Sequence, residues 1–276
     1  LRKELGHNRP ASHNSPYHSF FCLNSGSESV TLAMRISDIQ AKLLVSPNGP
    51  YHGKKPKYLS LTKGFHGRTD LPAQVSDSCL AKYREHLASF VHKENLDTVT
   101  PNNIEELEKV FAEAEKNHVF YQAMLIEPVL GEGRPGVGLT PAFYKRAREL
   151  TKEMGTLLIV DSIQAGFRAH GCLSIVDYPG FETLPPPDCE TYSKALNAGQ
   201  YPLSVLAVTE RTSKLYQQGL YGNTMTTNPR ALQVATSVLE KITPAIRQNI
   251  RERGLEFLEK LTTLTQEFSQ LATSCQ

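Results

Sequence analysis

The chain has 276 residues, of which 21% are charged and 39% hydrophobic, and its formal net charge is +2. This is the composition of a soluble globular protein with one large or two smaller α/β domains, and the near-neutral balance argues against a nucleic-acid or other polyanionic partner. The nine histidines lack metal-ligand spacing, the five cysteines lack a Cys-x-x-Cys pair, and no apolar run approaches a membrane span; a zinc site, a disulfide framework and a membrane anchor are therefore not expected, and a reducing compartment is.

Residues 1–19 are polar, carry Pro10 and Pro16, and read as a loop or the edge of a fragment; the start at Leu1 without Met fits a piece of a longer protein. Phe20 to Leu23 reads as a short strand. Asn24-Ser25-Gly26-Ser27-Glu28 then provides small polar capping residues with an acid in the first turn. The helix that follows runs to about Leu44, with Val30, Ala33, Met34, Ser37 and Ala41 along one face. Such a helix start is either an ordinary cap or a phosphate site.

Lys57 to Thr62 reads as a strand, ending in Lys63-Gly64-Phe65-His66-Gly67-Arg68-Thr69. Read alone, Phe65 is either a core residue or a ring laid flat on an aromatic ligand, and Arg68 either a surface residue or a carboxylate binder. Residues 75–100 look irregular. Asn103 to Asn117 has helical periodicity, and Tyr121 to Glu127 is a buried strand ending in an acid. Thr140-Pro141 opens a helix that closes near Met154-Gly155.

The next stretch organises the chain. Thr156-Leu157-Leu158-Ile159-Val160-Asp161 is an apolar, partly β-branched run that delivers a carboxylate at its end, the form of a buried parallel strand. In open α/β sheets ligands sit at that end. Further on, Tyr192-Ser193-Lys194-Ala195-Leu196 places one lysine among uncharged residues. An acid and a lysine on neighbouring strand ends are the two anchors of a pyridoxal phosphate site, the acid for the ring nitrogen and the lysine for the Schiff base. They are equally the forms of an ordinary strand end and a surface lysine.

Between them, Tyr178 to Asp188 contains Pro185-Pro186-Pro187 and is expected to be a surface connection. Leu203 to Val208 reads as another strand, Tyr221 to Pro229 as a polar loop, Pro229 to Ile242 as a helix, and Thr243-Pro244 as the start of a last amphipathic helix. Strands alternate with helices, so the class is α/β with a largely parallel sheet. Gly131-Glu132-Gly133-Arg134-Pro135-Gly136 matches the dinucleotide pattern G-x-G-x-x-G, but Pro135 offers no N–H inside the turn and the next helix starts only at Pro141. A loop holding Glu132 over a site fits better.

Several of these segments occur together in the order of one family. Asn24-Ser25-Gly26-Ser27-Glu28, Gly64-Phe65-His66-Gly67-Arg68-Thr69, Glu127-Pro128-Val129-Leu130-Gly131-Glu132-Gly133, Asp161-Ser162-Ile163-Gln164-Ala165-Gly166, Ser193-Lys194-Ala195-Leu196 and Gly222-Asn223-Thr224 before Asn228-Pro229 resemble the class III aminotransferases, the ornithine, acetylornithine and 4-aminobutyrate type. The resemblance covers about Phe20 to Ile242. It implies a pyridoxal phosphate-dependent, fold type I large domain with a mainly parallel seven-stranded sheet flanked by helices. Residues 1–19 would be a partial N-terminal segment, 20–242 the cofactor-binding domain, and 243–276 a helix leading toward a C-terminal small domain.

The resemblance also implies roles. Gly26 and Ser27 would hold the cofactor phosphate, Phe65 would stack on the ring, Asp161 would pair with the ring nitrogen, and Gln164 would lie near the phenolic oxygen. Lys194 would form the Schiff base and shuttle the proton. Thr224 would reach the phosphate of a neighbouring subunit in a homodimer. Arg68 would bind a substrate carboxylate and Glu132 would gate the pocket. The implied reaction transfers an ω-amino group to a 2-oxo acid, 2-oxoglutarate being the expected acceptor, in the cytoplasm or the mitochondrial matrix. A racemase, aminomutase or decarboxylase on the same fold and a truncated, inactive homologue are the alternatives. Three departures stand out: Ser162 where the family has Glu, Thr226 and Thr227 where it often has glycines, and the missing terminal parts.

Overall fold

A computed structural model describes residues 1–10, 15–91 and 94–270. Its centre is a seven-stranded sheet in the order β1-β7-β6-β5-β4-β2-β3. The strands are β1 (Ser19–Leu23), β2 (Lys55–Leu61), β3 (Leu96–Val99), β4 (Val119–Ile126), β5 (Leu157–Asp161), β6 (Cys189–Tyr192) and β7 (Ser204–Val208). All neighbours pair parallel except β7, which runs antiparallel to both β1 and β6. The expected mainly parallel α/β fold is therefore present.

The central strands are apolar on both faces because both faces are covered. In β5, Leu157 and Ile159 pack with α1 (Gly26–Val45), while Leu158 and Val160 pack with α4 (Ile104–Lys116) and α5 (Pro141–Glu153). Ser25 caps α1 in a reciprocal capping box with Glu28. Thr140 caps α5 ahead of Pro141, and Asn103 caps α4. On the α5 side, Arg148 grips Asp188 with both guanidinium nitrogens (2.7 and 3.3 Å), and Asp188 also accepts from Leu158 N at 3.0 Å. This buried pair fixes the entry to β6 against β5.

Two sequence expectations are corrected. Residues 75–100 are not irregular: after the short α2 (Asp70–Ala73) they hold α3 (Asp77–His86) and the edge strand β3, whose Asp97-Thr98 pair lacks an apolar signature. The described part of residues 1–18 is turn and loop, as expected, and it is packed against the domain. Leu5 and Tyr17 are buried in a third apolar cluster with Leu196, Val205, Ala231 and Ala235, and Asp177 accepts from Gly6 N and Asn8 N at 2.8 Å each. Asp177 also hydrogen-bonds His7 and raises it to about 10. The expected surface connection at 178–188 is only partly one, since Tyr178 and Phe181 are core residues and Pro187 is buried.

Helix α7 (Pro229–Lys241) lays Ala231 and Ala235 on the third cluster. Helix α8 (Pro244–Glu267) buries only Arg247, which donates to Gly171 O and to Glu4 Oε2, both at 2.6 Å. Beyond that point its Leu255, Phe257, Leu258 and Leu264 are exposed. Among the described residues no helix is long and apolar enough to cross a membrane.

Candidate active site

The carboxyl ends of β2, β4, β5 and β6 point to one side of the sheet, and the loops that follow them meet the start of α1. They enclose a cavity of about 300 Å³. Its lining includes Gly26 and Ser27 from the helix start, Phe65 and Arg68 from the loop after β2, Glu132 after β4, Asp161 and Gln164 after β5, and Lys194 after β6. Eight of the nine residues singled out in the sequence are thus in one place. Thr224 does not line the cavity; it is exposed in the loop before α7. That loop is tied to the same helix start, because Asn223 Nδ2 donates to Glu28 Oε1 at 2.7 Å.

Asp161 is buried and held on three sides. Its Oδ1 accepts from Ile163 N (3.1 Å) and Thr191 Oγ1 (3.3 Å), and its Oδ2 meets His66 Nδ1 at 2.9 Å. Register explains the Thr191 contact, because Asp161 and Thr191 are paired across β5 and β6. His66 is fully buried. Burial pulls its proton affinity down, but the hydrogen bond and charge of Asp161, with Glu127 behind, outweigh this and raise it. Among the described residues its Nε2 has no hydrogen-bond partner.

Glu127, at the end of β4, accepts from Phe65 N at 2.8 Å and Gly131 N at 3.0 Å, which closes the two loops over the cavity. Burial pushes it up to about 7, with Asp161 adding to the rise while His66 and the two backbone donors oppose it. Sequence reasoning assigned no role to His66 or Glu127. The signal available was that each sits inside a strand-end segment already marked for Phe65 and Glu132.

Lys194 starts a short 3₁₀ turn with φ 46°, a left-handed backbone that a lysine adopts only at a cost. Its Nζ donates to Gln164 Oε1 at 3.3 Å, so the loops after β5 and β6 bring the amine to the amide, and both residues line the cavity with Asp161. Ser193 Oγ donates to Leu203 O at 2.6 Å and anchors the turn from behind.

At the helix start, the first-turn N–H groups of Gly26 and Ser27 have no acceptor within the helix, and both residues line the cavity. Gly26 is closely approached: a Cβ there would stand 2.6 Å from Ile163 Cδ1, so that side chain would have to shift. Gly67 has φ +125°, and a Cβ there would run into the Ser27 side chain. Both glycines keep this end of the cavity open. Arg68 lies with its guanidinium 4.8 Å from the centre of the Phe65 ring and pairs with Glu132 at 2.5 Å. The arginine expected to bind a carboxylate and the acid expected to gate the pocket are therefore partners in this structure. Ser162, which follows Asp161, donates to Glu190 Oε1 at 2.5 Å.

Residues 4–273 match the family model described as Aminotransferase class-III. The acetylornithine aminotransferase of Lactococcus lactis subsp. lactis is 30% identical over 254 residues, 91% of this chain and 59% of the relative. The [LysW]-aminoadipate semialdehyde transaminase of Deinococcus radiodurans is 29% identical over 248 residues, covering 88% and 51% respectively. The chain thus spans somewhat more than half the length of the curated relatives it matches. In fold it is similar to an ornithine aminotransferase from Toxoplasma gondii with partial occupancy of pyridoxal phosphate at its active site (TM-score 0.72, 24% identity, 92% of this chain and 55% of that one). With the family model spanning nearly its whole length and the site residues gathered at the expected strand ends, this chain belongs to the class III aminotransferase family.

Proposed function

We propose that this chain carries the cofactor site of a pyridoxal phosphate-dependent aminotransferase acting on an ω-amino acid or related amine, with a 2-oxo acid, 2-oxoglutarate in the first instance, as acceptor. The observation that carries the reading is the convergence of Asp161 and Lys194 on one cavity with a free helix start at one end. The fit to the cofactor is chemical as well as spatial. Gly26 and Ser27 offer unpaired N–H groups where a phosphate needs donors, and Asp161 offers a buried carboxylate where a pyridinium nitrogen needs an acceptor. Phe65 offers a ring face, and Lys194 is the one primary amine among the lining residues.

Bound there, pyridoxal phosphate supplies a conjugated ring that accepts the electron pair left when a substrate carbon loses a proton. The protein's share is positional and electrostatic. Asp161 holds a proton at the ring nitrogen, and His66 orients Asp161 through its Oδ2. Gln164, which accepts from Lys194, would hydrogen-bond near the ring oxygen. The Lys194 amine removes and returns the proton at the substrate carbon, which requires it neutral and within reach of that carbon. Arg68 exchanges Glu132 for a substrate carboxylate, an exchange of one charge-assisted bond for another.

In the same proposal, residues 20–242 are the cofactor-binding domain, 1–19 an N-terminal segment, and 243–276, whose last six residues lie outside those described, a segment leading through α8 toward a C-terminal small domain. The exposed Leu255, Phe257 and Leu264 of α8 support that last assignment. The enzyme is a cytoplasmic homodimer, with Thr224 directed to the partner's phosphate; support comes from its exposure outside the cavity and the Asn223 tether beside it.

The test is optical. The folded chain supplied with pyridoxal phosphate is expected to develop a visible absorption band that resists dialysis and is absent in Lys194→Ala. Amine donors screened against that band should bleach it. A folded chain that never develops the band sinks the cofactor reading, and a band that no amine bleaches in a protein positive for racemase or decarboxylase activity sinks transamination.

A further inference from the structure

We propose that Glu190 is a positioning residue for this site: it clamps the chain segment that carries Asp161 without touching the cavity. The consequence for cofactor binding rests on the function proposed above, whereas the clamp itself does not.

Glu190 lies inside β6, paired with Val160 on one side and Ala207 on the other, and it is fully buried. Its neighbours across the sheet are apolar, and among the described residues no lysine or arginine pairs with it. Four neutral donors surround it instead. Oε1 accepts from Ser162 Oγ at 2.5 Å and Ile175 N at 3.0 Å; Oε2 accepts from Ser174 Oγ at 2.6 Å and from the Tyr17 hydroxyl. These fill the four lone-pair directions of a carboxylate. A carboxyl buried without a cation is costly unless such a shell is complete.

The donors come from three separate pieces of chain: the N-terminal segment, the residue after Asp161, and the turn at 174–175. Among the described residues, Glu190 joins all three. The consequence falls on Asp161. Its following residue, Ser162, is held by Glu190, and one of its own oxygens is held by Thr191, the residue after Glu190. Asp161 is therefore bracketed from β6 on both sides, by Thr191 on its carboxylate and, at Ser162, by the Glu190 side chain together with the strand bond from Ser162 N to Thr191 O at 3.0 Å. Glu190 is not among the cavity-lining residues, so it acts on the site through Ser162 and the register of β6.

The shape of the shell provides a clean test. In Glu190→Gln the amide oxygen can replace Oε1, accepting from Ser162 and Ile175. The amide nitrogen can replace Oε2, donating to Ser174 and Tyr17, whose hydroxyls turn to accept. Glu190→Leu removes all four contacts, and Ser162→Ala removes only the link to Asp161. Two readings are taken. One is the His66 ring N–H resonance in the cofactor-free chain, which reports the contact with Asp161. The other is pyridoxal phosphate affinity, from the visible band during titration.

Glu190→Leu is expected to shift or broaden the His66 resonance and to weaken the cofactor on the order of tenfold or more, the scale of losing one hydrogen bond to a charged group. Ser162→Ala should do the same to a lesser degree, with a measurable loss of stability because one acceptor position of the buried Glu190 is left unfilled, and Glu190→Gln should leave both readings near wild type. A folded Glu190→Leu with an unchanged His66 signal and unchanged affinity overturns the clamp. So does a Glu190→Gln that behaves like Glu190→Leu, because charge and not placement would then be at work. If Glu190→Leu does not fold, Ser162→Ala decides on the same two readings. A wild-type chain that takes up no cofactor counts against the proposed function alone, because the His66 resonance still reports the clamp.

Discussion

His66 Nδ1 and Asp161 Oδ2 are 2.9 Å apart in a position closed to solvent, so the acid's second oxygen is already committed when a ligand arrives. The histidine comes from the loop after β2 and the acid from the end of β5, with β4 between them. The contact spans the sheet and holds the mouth of the cavity at a set width. In His66→Ala, Asp161 keeps its place in β5 but loses one of three partners. Cofactor affinity is expected to fall about 10- to 100-fold, the range for a hydrogen bond to a charged group. Titration followed by visible absorbance measures it, and an unchanged affinity would show that Ile163 N and Thr191 Oγ1 suffice.

Glu127 and His7 give the chain a pH-dependent stability of one sign. Glu127 is raised from 4.5 to about 7, chiefly by burial, so the folded chain binds its proton more tightly than the unfolded chain. Its contribution is fully present below about 4.5 and is lost as pH rises through about 7. His7, raised from 6.5 to about 10 chiefly by its hydrogen bond with Asp177, contributes fully below about 6.5 and loses that contribution as pH rises through about 10. Urea midpoints should fall as pH rises across both windows. Glu127→Gln should flatten the lower part of that profile and leave the upper part.

Asp188 is the partner whose loss should cost most in the core. It is almost fully buried, takes both guanidinium nitrogens of Arg148 and caps Leu158 N. Asp188→Ala leaves a largely buried arginine without its acid, which costs about 3–5 kcal/mol. Equilibrium unfolding in urea checks this, and a loss below about 1 kcal/mol would mean that Arg148 finds water.

Gly26→Ala should separate folding from cofactor binding. Alanine suits a helix better than glycine, by roughly 1 kcal/mol, but its methyl group meets Ile163 Cδ1. Ile163 lines the cavity and would be displaced. Affinity for pyridoxal phosphate is expected to drop while stability holds or rises. Adding Ile163→Ala should restore part of the affinity, and titrations of the single and double variants compare the two.

The reading from sequence reached the site more fully than the fold around it. Asp161, Lys194, Gly26 and Phe65 announce themselves because each sits where an apolar strand breaks into small or polar residues, a change visible in one dimension. His66 and Glu127 do not, since their roles come from which strands lie side by side. The order β6-β5-β4-β2 is a property of the sheet and not of any one segment. β3 was missed because an edge strand needs few apolar residues, and its Asp97 is occupied with Lys57 and Tyr121. Leu5 and Tyr17 were hidden by the polar residues around them, and they are core only because β7 and α7 come to meet them.

The left-handed backbone at Lys194 has a consequence for descent. For folding alone, the residue best suited to that position is glycine, or next asparagine, and a long side chain there works against the fold. Under the function proposed above, selection for the amine is what keeps a lysine there. In a copy of this gene released from that selection, position 194 is where substitution should improve folding while it removes the proposed chemistry. The identity of this one residue in such copies would then record whether that chemistry was still needed when the lineages parted.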